Sequence, residues 1–105
     1  MNILFVCSKN KWRSRTAETI FRHSDLHHVK SAGTATSAVV KLTEALLDWA
    51  DMVFVMEDKH KKIIQQKYQS KVFNEKMIVL DIPDDYQYMD EELIEILKSS
   101  TDPYL

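Results

Sequence analysis

Apolar and polar residues are segregated into blocks along this chain. Ile3-Leu4-Phe5-Val6 is a short unbroken apolar run, as expected of a strand buried on both faces. A polar, basic stretch follows, Ser8 to Trp12. Ala17, Ile20, Phe21 and Ser24 then recur at spacings of three and four, which predicts the inner face of a helix. Val29 to Ala32 reads as a second, shorter strand ending at Gly33, and Thr34 to Lys41 as a loop of small residues without an aromatic. Leu42, Ala45, Leu46 and Trp49 sit at i, i+3, i+4 and i+7, an amphipathic helix whose apolar side, Trp49 included, belongs to the core. Met52 to Met56 is a third buried strand. The charged stretch Asp58 to Tyr68 predicts an exposed helix with Ile63, Ile64 and Tyr68 inward and Lys59 to Lys67 as its solvated side. Met77 to Leu80 is a fourth strand, and Asp81 to Met89 an acidic, aromatic loop. Asp90 is the expected N-cap of a last helix with Leu93, Ile94 and Leu97 inward.

This alternation argues for an α/β fold: an open four-stranded parallel sheet with helices on both faces, in one domain spanning 1–105. In such sheets ligands bind outside the carboxyl ends of the strands. The segments there are 7–13, 33–41, 56–60 and 81–88.

Composition narrows the chemistry. The 105 residues carry a net charge of −2, which disfavours nucleic acid or an anionic membrane as a partner. No apolar run approaches the ~20 residues of a membrane span, and the first is too short for a signal-peptide core. The one cysteine, Cys7, excludes a disulfide framework and a multi-cysteine zinc site, and fits a reducing cytoplasm. The one glycine, Gly33, excludes the Gly-rich phosphate loops of nucleotide-binding proteins. His23, Asp25, His27 and His28 are the only cluster of metal-ligand types. Helix ends gather histidines for dipole reasons, so neither a metal nor another cofactor is expected.

The segment Cys7-Ser8-Lys9-Asn10-Lys11-Trp12-Arg13-Ser14 joins the first strand to the first helix. A loop of this length can converge its backbone N–H groups on one point, and the helix N-terminus adds its own. Such a nest suits a phosphate-sized anion. Arg13 can grip two phosphoryl oxygens, and Ser14 can donate to the sulfur of Cys7, which this field favours as thiolate.

Cys7 to Ser14 resembles the C-x5-R-S loop of the low-molecular-weight protein tyrosine phosphatases. Thr16-Ala17-Glu18, Ser31-Ala32-Gly33-Thr34, Asp51 to Met56 and Ile82 to Tyr86 are similar to further segments of that family in the same order. Family members are usually longer, and this chain more closely resembles a compact bacterial group of about its own length. The resemblance implies a flavodoxin-like sheet and a metal-independent phosphatase. Cys7 would be the nucleophile forming a cysteinyl-phosphate, Arg13 the phosphate clamp, and Asp84 the general acid, with Asp81 and Asp85 as alternatives. Ser8, Lys9, Asn10, Lys11, Trp12, Ser14 and Tyr86 would bind substrate, with Tyr88 as a further wall. The substrate would be a phosphotyrosyl protein or a small aryl phosphate. Asp102-Pro103-Tyr104 also spells the family's acid motif but falls at a terminus expected to fray.

The chain departs from the family pattern in four places. Lys9 stands where a loop glycine is usual, so a positive φ there would strain it. Trp12 replaces a second cysteine, and Arg15 and Asp85 replace prolines. A cysteine-phosphorylated phosphocarrier lacks the arginine and is disfavoured by Arg13-Ser14. A non-catalytic phosphotyrosine-binding module would be favoured if no aspartate reached the site.

Overall fold

The computed structural model describes residues 1–105. Four strands form one sheet: β1 (Asn2–Cys7), β2 (His28–Gly33), β3 (Met52–Val55) and β4 (Met77–Val79). All pair in parallel in the order β2-β1-β3-β4, with Cys7 opposite Gly33 and Val6 opposite Val55. The helices are α1 (Arg13–Phe21), α2 (Glu44–Trp49), α3 (Asp58–Tyr68), α4 (Lys71–Glu75) and α5 (Glu91–Thr101), followed by a 3-10 turn at Asp102–Tyr104. None is long and apolar enough to cross a membrane.

Each face of the sheet has its own core. Leu4 and Val6 face Leu47, Ile64 and Phe73 of α2, α3 and α4. Ile3, Phe5 and Cys7 face Ala17 of α1 and Leu93 and Leu97 of α5. This two-sided burial explains why β1 reads as an unbroken apolar run. Each such side chain contributes roughly 1.5–3 kcal/mol, so β1 anchors both layers. The connections run from β1 outward to β2 and then back across to β3. Their carboxyl ends therefore diverge into a crevice, the topological switch point where ligands bind.

Several helix faces differ from expectation. Thr43 caps α2, its Oγ1 accepting from the Leu46 N–H at 3.2 Å. That register turns Leu47 into the core, leaves Ala45 exposed, and leaves Trp49 half-buried under the Lys30 ammonium, 4.4 Å from its ring centroid. In α3 the buried pair is His60 and Ile64, while Ile63 faces out. The short α4, capped by Ser70, has too few residues to show a period, yet it buries Phe73. In α5, Asp90 is the N-cap as expected, and Leu93 and Leu97 are buried. At the C-terminus, where fraying is expected, Tyr104 packs edge-on against Phe54 with ring centroids 5.7 Å apart.

Candidate active site

The loop after β1 is held from outside by the segment after β2. The carbonyls of Cys7, Ser8 and Lys9 accept hydrogen bonds from the N–H groups of Thr34, Ala35 and Val39 at 2.9, 2.9 and 3.0 Å. Every peptide bond is trans, so the N–H of Ser8, Lys9 and Asn10 points to the opposite side. None of the N–H groups from Ser8 through Trp12 donates to another group of the chain. The N-terminus of α1 opens at Arg13, directly beyond them. The result is a ring of free donors with positive helix-dipole character, built without a glycine.

The strain expected at Lys9 is not there. The positive φ, 57°, falls one residue later at Asn10, and asparagine tolerates the left-handed region better than most residues. Asn10 is fully buried. Its Oδ1 accepts from the Val40 N–H at 3.2 Å, and its Nδ2 donates to Ser14 Oγ at 2.7 Å and to Ser31 Oγ at 2.9 Å. The single glycine is required beneath the loop instead. A Cβ on Gly33 would lie 2.4 Å from the Ser8 carbonyl oxygen and 3.0 Å from the Asn10 nitrogen.

Ser14 Oγ lies 2.9 Å from Cys7 Sγ. With one lone pair of Ser14 Oγ taken by Asn10, the serine's own proton is free to point at the sulfur. Ser31, the other acceptor of Asn10, donates onward to the Glu18 carboxylate. The donor chain therefore branches at Asn10, one arm reaching Cys7 through Ser14 and the other ending at the Glu18 carboxylate through Ser31.

Arg13 is 2% exposed. Its Nη1 donates to Glu57 Oε1 at 2.5 Å and to the Ile82 carbonyl at 2.8 Å. Both protons of Nη1 are thus used, and the Nε–Nη2 edge is left for a ligand. Asp84 Oδ1 stands 3.7 Å from Nε. Burial alone would raise the pKa of Glu57. The hydrogen bond from Arg13 and its charge, with Lys59 and His60, outweigh that and hold the carboxyl below its usual value.

His60 is fully buried. Its Nδ1 accepts from the Glu57 N–H at 3.0 Å, and Nε2 lies 2.9 Å from Ser8 Oγ. Burial, followed by the positive charge of Arg13, pushes its pKa down to about 4, so the ring is neutral at pH 7.

A cavity of about 140 Å³ opens over this loop, lined by Cys7, Ser8, Lys9, Lys11, Trp12, Arg13 and Asp84. Trp12, 43% exposed, stands at its mouth. Of the three aspartates weighed, Asp84 lines the cavity. Asp81 lines a neighbouring depression with Glu57 and Lys59. Asp85 is exposed and lines neither. Asn10 and Ser14 lie under the loop rather than in the cavity. Tyr86 packs half-buried against the α5 side of the core, and the Tyr88 hydroxyl bonds Thr19 Oγ1 at 2.7 Å, so neither tyrosine forms a wall of the cavity. The residues His23, Asp25, His27 and His28 make no grouping able to hold a metal ion. Glu57, His60, Ser31 and Glu18 were not expected at the site. The only sequence signal for the first two is their place in 56–60, just past the carboxyl end of β3.

An anion-binding loop that begins at a cysteine and closes on a buried arginine, set at the switch point of a parallel sheet, defines a cysteine-based phosphatase. Comparison with known proteins agrees. A family model described as low molecular weight phosphotyrosine protein phosphatase matches residues 2–47. The protein-arginine-phosphatase of Bacillus subtilis (strain 168) is 34% identical over 109 residues, covering 75% of this chain and 73% of that protein. The crystal structure of a YwlE mutant from Bacillus subtilis superposes with a TM-score of 0.72 at 25% identity, covering 100% of this chain and 99% of that one. The fold is shared also with SP-PTP, a low molecular weight protein tyrosine phosphatase from Streptococcus pyogenes, with a TM-score of 0.82 at 18% identity over 99% and 90% of the chains. The chain belongs to the low molecular weight phosphotyrosine protein phosphatase family.

Proposed function

We propose that this chain hydrolyses aryl phosphate monoesters, phosphotyrosyl groups of proteins in the first place, in the cytoplasm and without a metal. The observation that carries the reading is the convergence of Cys7, Arg13 and Asp84 on one cavity floored by free backbone N–H groups. The thiolate of Cys7 attacks phosphorus in line. The S–P bond forms as the bond to the tyrosyl oxygen breaks. The loop amides and the Nε–Nη2 edge of Arg13 take the equatorial oxygens. Asp84 gives its proton to the departing phenolate. It then takes one from the water that attacks the cysteinyl-phosphate, releasing inorganic phosphate and the thiolate.

The cavity mouth supports an aromatic ester. Trp12 supplies an aromatic side chain to its lining, and Lys9 and Lys11 complement a dianion while disfavouring a second cation. A second reading, hydrolysis of phosphoarginine, is favoured by the Bacillus subtilis relative, which is named for that activity. One peptide carrying either phosphotyrosine or phosphoarginine separates the two by kcat/KM. A higher value on phosphotyrosine, with kcat lowered in Asp84→Asn, supports the first reading. A higher value on phosphoarginine replaces it with the second. Tight binding of phosphate without turnover of either peptide would leave a binding module.

A further inference from the structure

We infer that His60 is a positioning residue that sets Ser8 as a donor to the bound phosphoryl group. The inference rests on the phosphate-binding reading of the loop. Neither the nucleophile, the clamp nor the acid requires a histidine on α3, yet the ring is fully buried beside the loop with both nitrogens engaged. A backbone N–H can only donate, so Nδ1, which receives the Glu57 N–H, carries no proton. The neutral ring then bears its proton on Nε2, which donates to Ser8 Oγ. With its oxygen accepting from His60, the Ser8 hydroxyl directs its own proton elsewhere. Ser8 lines the cavity, so a phosphoryl oxygen there becomes its acceptor. The other bond of the same ring fixes the backbone of Glu57, whose carboxylate holds Nη1 of Arg13. One imidazole thus ties the second residue of the loop to the anchor of the clamp. A merely space-filling role is better served by an apolar side chain, which carries no desolvation cost.

The experiment measures inorganic phosphate affinity and steady-state kinetics on an aryl phosphate for the wild type, His60→Leu, His60→Gln, Ser8→Ala and the double variant Ser8→Ala/His60→Leu. His60→Leu is expected to weaken phosphate binding about tenfold, the size of one charge-assisted hydrogen bond. Ser8→Ala should do the same, and the double variant should be no worse than His60→Leu. His60→Gln supplies one acceptor and one donor and should recover most of the loss. Unchanged phosphate affinity in Ser8→Ala, or a lower Tm in His60→Leu with binding intact, would overturn the assignment. Should His60→Leu not fold, Ser8→Ala and His60→Gln decide it. A wild type that binds phosphate without hydrolysis would refute the hydrolase reading alone, because phosphate affinity still reads His60.

Discussion

Replacing Gly33 by alanine tests whether the loop is shaped from beneath. The added Cβ would lie 2.4 Å from the Ser8 carbonyl oxygen, 2.7 Å from Ala38 Cβ and 3.0 Å from the Asn10 nitrogen. Two of these atoms belong to the loop backbone, and none is the end of a flexible side chain. Relief therefore requires the Ser8–Lys9 peptide to retreat by roughly half an ångström or more, a strain typical of overpacked sites that cost about 1–3 kcal/mol. That same peptide carries the Lys9 N–H, one of the free donors of the proposed phosphate site. A misplacement of about 1 Å in a reacting geometry costs on the order of a hundredfold, so a shift of this size should lower kcat/KM by about 10–100-fold. Urea unfolding gives the stability change, and aryl phosphate hydrolysis with phosphate inhibition gives the loss at the site. A Gly33→Ala variant with wild-type stability and wild-type phosphate affinity would refute the reasoning, because the loop would then not depend on that contact.

Three further outcomes follow from the same geometry. Glu57→Ala leaves Nη1 of Arg13 with only the Ile82 carbonyl. It should cost roughly 1–3 kcal/mol in unfolding free energy and at least about tenfold in kcat/KM, with Glu57→Gln recovering part of both. For His60, the folded pKa is about 4 against 6.5 for an unperturbed histidine, so between those values the unfolded chain binds a proton that the folded chain does not. Stability should therefore fall as pH drops from 6.5 toward 4, by up to about 3 kcal/mol from this group, and Glu57 adds a fall in the same direction below its usual range. Urea midpoints across pH 7 to 4.5 should show a shallower dependence in His60→Gln, and equal slopes would contradict the assignment. Finally, a sulfenic acid on Cys7 has no second thiol in the chain to condense with. The fraction of activity that dithiothreitol fails to restore should thus grow with peroxide exposure, whereas full recovery after long exposure would count against Cys7 as the oxidised group.

The core of the site is legible in the sequence because it is local. Cys7, Arg13 and Ser14 lie within one strand–loop–helix junction, and their offsets alone specify a curled loop. The sheet is legible for a similar reason: two central apolar runs buried on both faces, β1 and β3, flanked by shorter edge strands, leave little choice of architecture. The supporting residues are not legible, because their meaning is set by contacts across the fold. Glu57 meets Arg13 across 44 positions, and Ser8 meets His60 across 52. In a helix as charged as Asp58–Tyr68, nothing local marks His60 as the residue that turns inward. Nor does the spacing reveal which of Lys9 and Asn10 takes the positive φ. That depends on the Asn10 side chain reaching Ser14, Ser31 and Val40, and Ser31 and Val40 lie on other segments. Tyr86 looks like a pocket wall in the sequence because its loop is acidic and aromatic, but the approach of α5 offers its ring an apolar surface instead.

The central claim, that Cys7 is the phosphorylated nucleophile, is tested most directly by rapid quench of the enzyme turning over an aryl phosphate, followed by intact mass and fragment analysis. The account predicts a transient adduct of one phosphoryl group on Cys7, with turnover insensitive to EDTA, inhibited by vanadate, and abolished in Cys7→Ser. Turnover that persists in Cys7→Ser, or that requires a divalent metal, would contradict it.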